Sequence, residues 1–257
     1  MTDWLEDDAL ADQYEDSSNL AARQVVHARF STAEQSRHEW LFDQFDLPAD
    51  ADVLSLGAGQ GVLWATNADR IPAGWDVTVT DAFQGMVFDA METLEEVDRE
   101  FHFDVVDACD IPYPEDSFDA VTANHVLSHL DDADRETALA ETRRVLRPGG
   151  VCYASTNGEA NLRELFGVAG EFGELPDTLA FSLENGGDQF RGAFDDVELR
   201  RFDDELRVTA PEPLVAYALS LPGYEPSDAH ELGRAFRERV GDDAMRVTRD
   251  VGVFVAR

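Results

Sequence analysis

Residues 51–66, ADVLSLGAGQGVLWAT, decide the fold. An apolar run rises to Leu56, breaks into Gly57-Ala-Gly59-Gln-Gly61, and resumes with helical character. Strand, glycine turn and helix in that order form the opening of a βαβ unit, in which the turn faces a ligand crevice. Glycines there let the backbone take φ > 0 and come close to what is bound.

Outward from this stretch the pattern repeats. Strands are expected at 53–56, at DVTVTD (76–81), at FHFDVVD (101–107), at FDAVTAN (118–124) and at VCYAST (151–156). Between them, helices are expected over 61–68, 84–97 and 133–146, the second with Met86, Met91 and Leu94 on its inner side. The third closes at Pro148-Gly149-Gly150. Strands alternating with helices predict a doubly wound, mostly parallel α/β sheet.

Residues 1–50 read as a helical lead-in, with Ser31 or Thr32 as N-cap of the piece TAEQSRHEWLFDQFDL. After Thr156 the rhythm changes. Residues 51–257 form the main domain, and two insertions, at about 157–194 and 211–244, are expected to cap the site. The tail supplies DVELRRFDDELRVT and the end of AMRVTRDVGVFVAR as further strands.

The chain has 54 Asp and Glu against 20 basic residues, all Arg, for a net charge of −34. Such a chain repels itself strongly in dilute salt. The acids are spread through every segment, which points to a cytoplasmic protein of an extreme halophile, where concentrated cations screen charge to roughly 3 Å. No basic patch suggests nucleic acid as a partner, and no run approaches the ~20 apolar residues of a membrane span. Cys109 and Cys152 are expected to be reduced core residues.

The spacing G-x-G-x-G puts Val62 where a dinucleotide fingerprint has its third glycine. Purely structural glycines, a dinucleotide and a nucleoside without pyrophosphate all remain open on that motif. Asp81, ending the second strand about twenty residues on, suits a ribose diol. Asp107 ends the third strand ahead of IPYPEDSFD, where a carboxylate can accept an exocyclic amine.

VLSLGAGQG, VTVTD, DACDIPYPEDSFDAV and RRVLRPGG, in this order and spacing, resemble the class I S-adenosylmethionine-dependent methyltransferases, in particular the ubiquinone/menaquinone-biosynthesis-like branch. The resemblance covers roughly residues 50–156, and ARFST and FSLENGG extend it more loosely. Ala58 stands where many members carry Cys, at a position where backbone makes the contact. The resemblance implies a Rossmann-like seven-stranded sheet with S-adenosylmethionine as cofactor. Gly57, Gly59 and Gly61 would cradle its methionine part, and Asp81 its ribose. Ala82 and Met86 would flank the adenine, Asp107 and the Ala108 backbone would bind it, and Asn124 would face the donated methyl.

His125 adjoins Asn124 and is the candidate proton acceptor. His125 and His129 would share a face if the segment were helical, yet no third ligand suggests a metal. Tyr14 and Arg29 in the lead-in, and Phe181, Asn185 and Tyr217 in the cap, are the candidate acceptor contacts. The expected activity is methyl transfer to a small molecule by a monomer or homodimer. A non-catalytic S-adenosylmethionine-binding protein is the alternative. A nicotinamide oxidoreductase is disfavoured by the missing third glycine, the adenine loop and a Lys-free chain.

Overall fold

The computed structural model describes residues 17–173, 179–221 and 223–257. Seven strands form one sheet: β1 (Asp52–Leu56), β2 (Asp76–Asp81), β3 (His102–Val105), β4 (Phe118–Asn124), β5 (Leu146–Asn157), β6 (Val197–Val208) and β7 (Met245–Ala256). Their order is β3-β2-β1-β4-β5-β7-β6, with β7 antiparallel to both β5 and β6 and the rest parallel. The order reverses between β1 and β4, which places a crevice at their carboxyl ends.

Parallel strands covered on both faces need apolar residues on both. Alternate residues accordingly serve two cores. Leu54, Leu56, Val121, Ala123, Cys152 and Phe254 face one side, packed with Leu139. Val53, Val77, Val79, Ala120, Tyr153 and Val253 face the other, with Leu41, Leu63 and Trp64. Both cysteines are buried and unpaired.

The helices over the sheet are α1 (Ser17–Phe30), α2 (Arg37–Phe42), α3 (Val62–Thr66), α4 (Gln84–Leu94) and α5 (Asp132–Val145). On α4, Met86, Val87, Ala90 and Leu94 are the buried positions, while Met91 turns out at 45% exposure. Met91 lies about 100° round the helix from Ala90, which is enough to leave the apolar stripe. The start of α2 also differs from expectation. Ser36 caps it, accepting from the Glu39 amide, and Glu39 reaches back to the Ser36 amide in a capping box. Ser31 and Thr32 are instead tied to Asp204 and Glu205 on β6.

β6 and β7 pair over their full twelve residues, whereas β5 pairs with β7 only from Cys152 to Asn157. The far half of this hairpin therefore projects beyond the carboxyl edge of the parallel strands. Here α1 gathers with α6 (Arg163–Ala169), α8 (Pro211–Leu219) and α9 (Ala229–Val240), burying Val26, Phe30, Leu165, Leu206, Leu214, Tyr217, Leu232 and Phe236. The first expected cap segment divides. Its α6 joins this second core, but Phe181, Leu183, Phe190 and Phe194, around α7 (Gly186–Phe190), pack into the main sheet core against Phe254.

Candidate functional site

The glycine turn follows β1 at the strand-order reversal. Gly57, Gly59 and Gly61 have φ of +56°, +54° and +73°, all left-handed. L-residues resist that region because Cβ crowds the following carbonyl. At Gly57 a Cβ would also lie 2.3 Å from Val126 Cγ2, and at Gly61 one would lie 3.2 Å from Leu94 Cδ1. The Ala58 amide donates to Thr80 O at 2.8 Å, fastening the turn to β2.

Asp81 completes that fastening. The residue is 8% exposed, and its carboxylate accepts from the Gly59 amide at 2.9 Å and the Phe83 amide at 3.0 Å. Burial raises its pKa, while the Phe83, Gly59 and Ala82 amides work in the opposite direction. The Val106 amide bonds Asp81 O at 3.0 Å, so Asp107 follows at the neighbouring strand end. Asp107 Oδ1 accepts from the Cys109 amide at 2.9 Å, and a bridge to Asp110 tightens the turn around buried Ala108. Half-buried Ala82 and buried Met86 lie on the chain just after Asp81. Three left-handed glycines thus stand beside two strand-end carboxylates at the mouth of the crevice.

At the end of β4, Asn124 Oδ1 accepts from Ser155 Oγ at 3.1 Å, which fixes the amide's orientation. His125 follows with φ +57°, its amide donating to Ser155 O at 2.9 Å. Asp116 and Leu162 share this left-handed conformation, which costs an L-residue some strain. His129 ends a short 3-10 turn, Leu127–His129, so the two histidines are not arrayed on one α-helical face. No group of metal-ligating side chains occurs among the described residues.

His125 has further neighbours that the sequence did not suggest. Burial, and then the charges of Arg37, His129, His38 and His27, hold its pKa well below 6.5. Burial and then Arg23 lower the pKa of His129 too. Arg37 Nη2 lies 3.1 Å from His38 Nε2. A guanidinium only donates, so that nitrogen is unprotonated. Arg249 pairs with Asp204 at 2.7 Å. Asp204 also accepts from Ser31 Oγ and from the amides of Thr32, Ala33 and Glu205.

The remaining expected contacts are dispersed. Tyr14 lies outside the described residues. Arg29 is exposed and rests over Phe30, because α1 turns positions 23, 26, 27 and 30 inward, and His27 and Arg23 are the residues of this helix whose charges act on His125 and His129. Phe181 is fully buried against Phe190, Phe254 and Arg135, and so is closed to a ligand. Asn185 is committed to the turn before α7, accepting from the Ser182 amide and donating to Leu179 O and Ala180 O. Tyr217 is buried in the second core, its ring edge-on to His27 at 6.3 Å.

Residues 53–150 match a family described as a methyltransferase domain. Methyltransferase GfsG of Streptomyces halstedii is 29% identical over 192 residues, 72% of this chain and 67% of that protein. The ubiquinone/menaquinone biosynthesis C-methyltransferase UbiE of Desulfotalea psychrophila is 33% identical over 105 residues, a match spanning only 41% of either chain. Among solved structures, phosphoethanolamine N-methyltransferase 2 of Haemonchus contortus in complex with S-adenosyl-L-methionine superposes with a TM-score of 0.61 at 17% identity, covering 97% of this chain and 59% of that one. Residues 53–150 thus form a methyltransferase domain, and the similarities indicate S-adenosylmethionine as its cofactor.

Proposed function

We propose that the chain methylates a small molecule that enters between the glycine turn and the projecting β6–β7 hairpin. The observation that carries this reading is the buried Asp81 carboxylate bonded to the Gly59 amide within three left-handed glycines. In this reading the turn at 57–61 holds the methionine portion and Asp81 the ribose hydroxyls. Ala82 and Met86 flank the adenine, Asp107 and the Ala108 amide bind its edge, and Asn124 faces the methionine end. When bound, the cofactor supplies a methyl group already activated on a sulfonium. The chain's own contribution is then mainly alignment and exclusion of water, and alignment alone can lower a barrier by several kcal/mol.

His125 is the proton acceptor in this reading. It is neutral at neutral pH, and its lowered pKa makes it a weak base. That suits an acceptor whose proton is acidic or already lost. Tyr217 is a candidate wall of the acceptor site from the second core.

No helix among the described residues is long and apolar enough to cross a membrane. We read the charge of −34 as adaptation to a salt-rich cytoplasm. The acceptor is taken to be a small molecule and not a nucleic acid, and the protein to act as a monomer or homodimer.

The test is transfer of isotopically labelled methyl from S-adenosylmethionine to a panel of small acceptors in concentrated KCl. His125→Ala should slow turnover by about 10²–10⁴-fold with cofactor affinity preserved. Equal loss of both would make His125 structural.

A further inference from the structure

In a chain with 54 acids, the cleft beside His125 is basic. Arg37, His38, His27, His129 and Arg249 lie close enough to one another or to His125 for their charges to act across it. Among the described residues Arg37 has no carboxylate partner, since Glu39, two positions on, is turned away into the capping box. The acid facing the cluster is Asp204, and five donors already occupy its two oxygens. Arg37 Nη1, His27 Nδ1 and Arg249 Nε are buried with no hydrogen-bond partner.

Buried polar atoms are nearly always satisfied, and an unmatched cation is among the least tolerable exceptions. Of these three side chains, His27 is neutral and Arg249 is paired with Asp204, so Arg37 is the unmatched cation, and its open Nη1 calls for an anion. We propose that this basic pocket holds a carboxylate or phosphate group of the methyl acceptor, with Arg37 as its principal ligand and His27 and Arg249 beside it. The proposal deepens the functional reading above and rests on it.

The cofactor also carries a carboxylate, and the shared chemistry has to be apportioned. A sulfonium and an ammonium come with that carboxylate, and both would be repelled by unpaired cations. An anionic acceptor neutralises the pocket and the bound cofactor together. It also corrects the local electrostatics: burial and Arg249 push Arg37 down to about 10, and burial with its arginine neighbours pushes His27 and His38 to about 3. An anion beside them would oppose these shifts and strengthen His125 as a base.

The experiment is calorimetric titration of the full chain with inorganic phosphate at constant ionic strength, both free and saturated with S-adenosylhomocysteine. Wild type, Arg37→Gln and Arg37→Lys are compared. Phosphate is expected to bind the loaded wild type saturably and at least roughly tenfold more weakly to Arg37→Gln. Arg37→Lys should fall between them. S-adenosylhomocysteine affinity should change by less than about threefold, and the melting temperature of Arg37→Gln should equal or exceed that of wild type, because an unmatched charge has been removed.

A tenfold loss of S-adenosylhomocysteine affinity in Arg37→Gln, with no phosphate bound to the loaded protein, would assign the arginine to the cofactor's carboxylate and overturn the proposal. Phosphate binding that is absent from wild type, or equal in all three proteins, would overturn it as well. If S-adenosylhomocysteine bound nowhere, the functional reading would fail separately. The free-protein titration would still decide whether Arg37 forms an anion site.

Discussion

Gly57→Ala tests whether the turn is shaped by necessity. The new Cβ would stand 2.3 Å from Val126 Cγ2 and 3.5 Å from Val126 Cβ. Carbon atoms in ordinary contact sit about 3.5–4.0 Å apart, so Val126 or the turn must give by roughly 1 Å. The φ of +56° adds about 1–2 kcal/mol for an L-residue. Overpacking adds about 1–3 kcal/mol, for a combined loss of about 2–5 kcal/mol. A domain of ordinary stability survives that. The turn would shift against its ties at Ala58 and Gly59, so cofactor affinity falls with stability. Urea denaturation and S-adenosylhomocysteine calorimetry, both in concentrated KCl, read the two effects. Val126→Ala removes the clashing carbon, so Gly57→Ala should be less damaging in that background by about 1–3 kcal/mol. The reasoning is refuted if Gly57→Ala destabilises by less than about 0.5 kcal/mol, or equally in both backgrounds.

Asp81→Ala should weaken S-adenosylhomocysteine binding by about 1–3 kcal/mol, measured by the same calorimetry; unchanged affinity would take Asp81 out of the site. His27 and His38 have folded pKa values near 3, below the unfolded 6.5, so stability is full above about pH 6.5 and declines as pH falls toward 3. The slope per histidine is at most about 1.4 kcal/mol per pH unit; His27→Gln/His38→Gln should flatten it in urea melts across this window, and an unchanged slope would contradict the assignment. Asp81, whose pKa burial raises, acts with the opposite sign at lower pH. Thermal stability should climb with KCl into the molar range; a protein equally stable in dilute buffer would end the halophilic reading.

The parallel sheet was legible because β1 to β4 are short and each leads into a readable signal: Gly57–Gly61, Asp81, Asp107, Asn124. Local sequence also fixed α5, whose Asp131 cap and terminal arginines agree with its dipole. The basic cleft was not legible, because it is assembled from α1, α2, the turn after β4, and β7. A run such as SRHE suggests that Arg37 has an acid to hand in Glu39. Only the capping box, itself a readable S-x-x-E pattern, shows that Glu39 is spent on its own helix. The place of Phe181 was not legible for a related reason: the segment around α7 returns to the main core by pairing aromatics with Phe254, a contact made across 73 residues of chain.

The most direct test of the account is calorimetric titration of the full chain in concentrated KCl with S-adenosylmethionine, S-adenosylhomocysteine and NADH in parallel. Saturable binding of the first two, abolished or weakened by Asp81→Ala, with no heat from NADH, is the predicted result. Binding of NADH alone would contradict it, and the roles given to Gly57, Asp81, Asp107 and His125 would fall together.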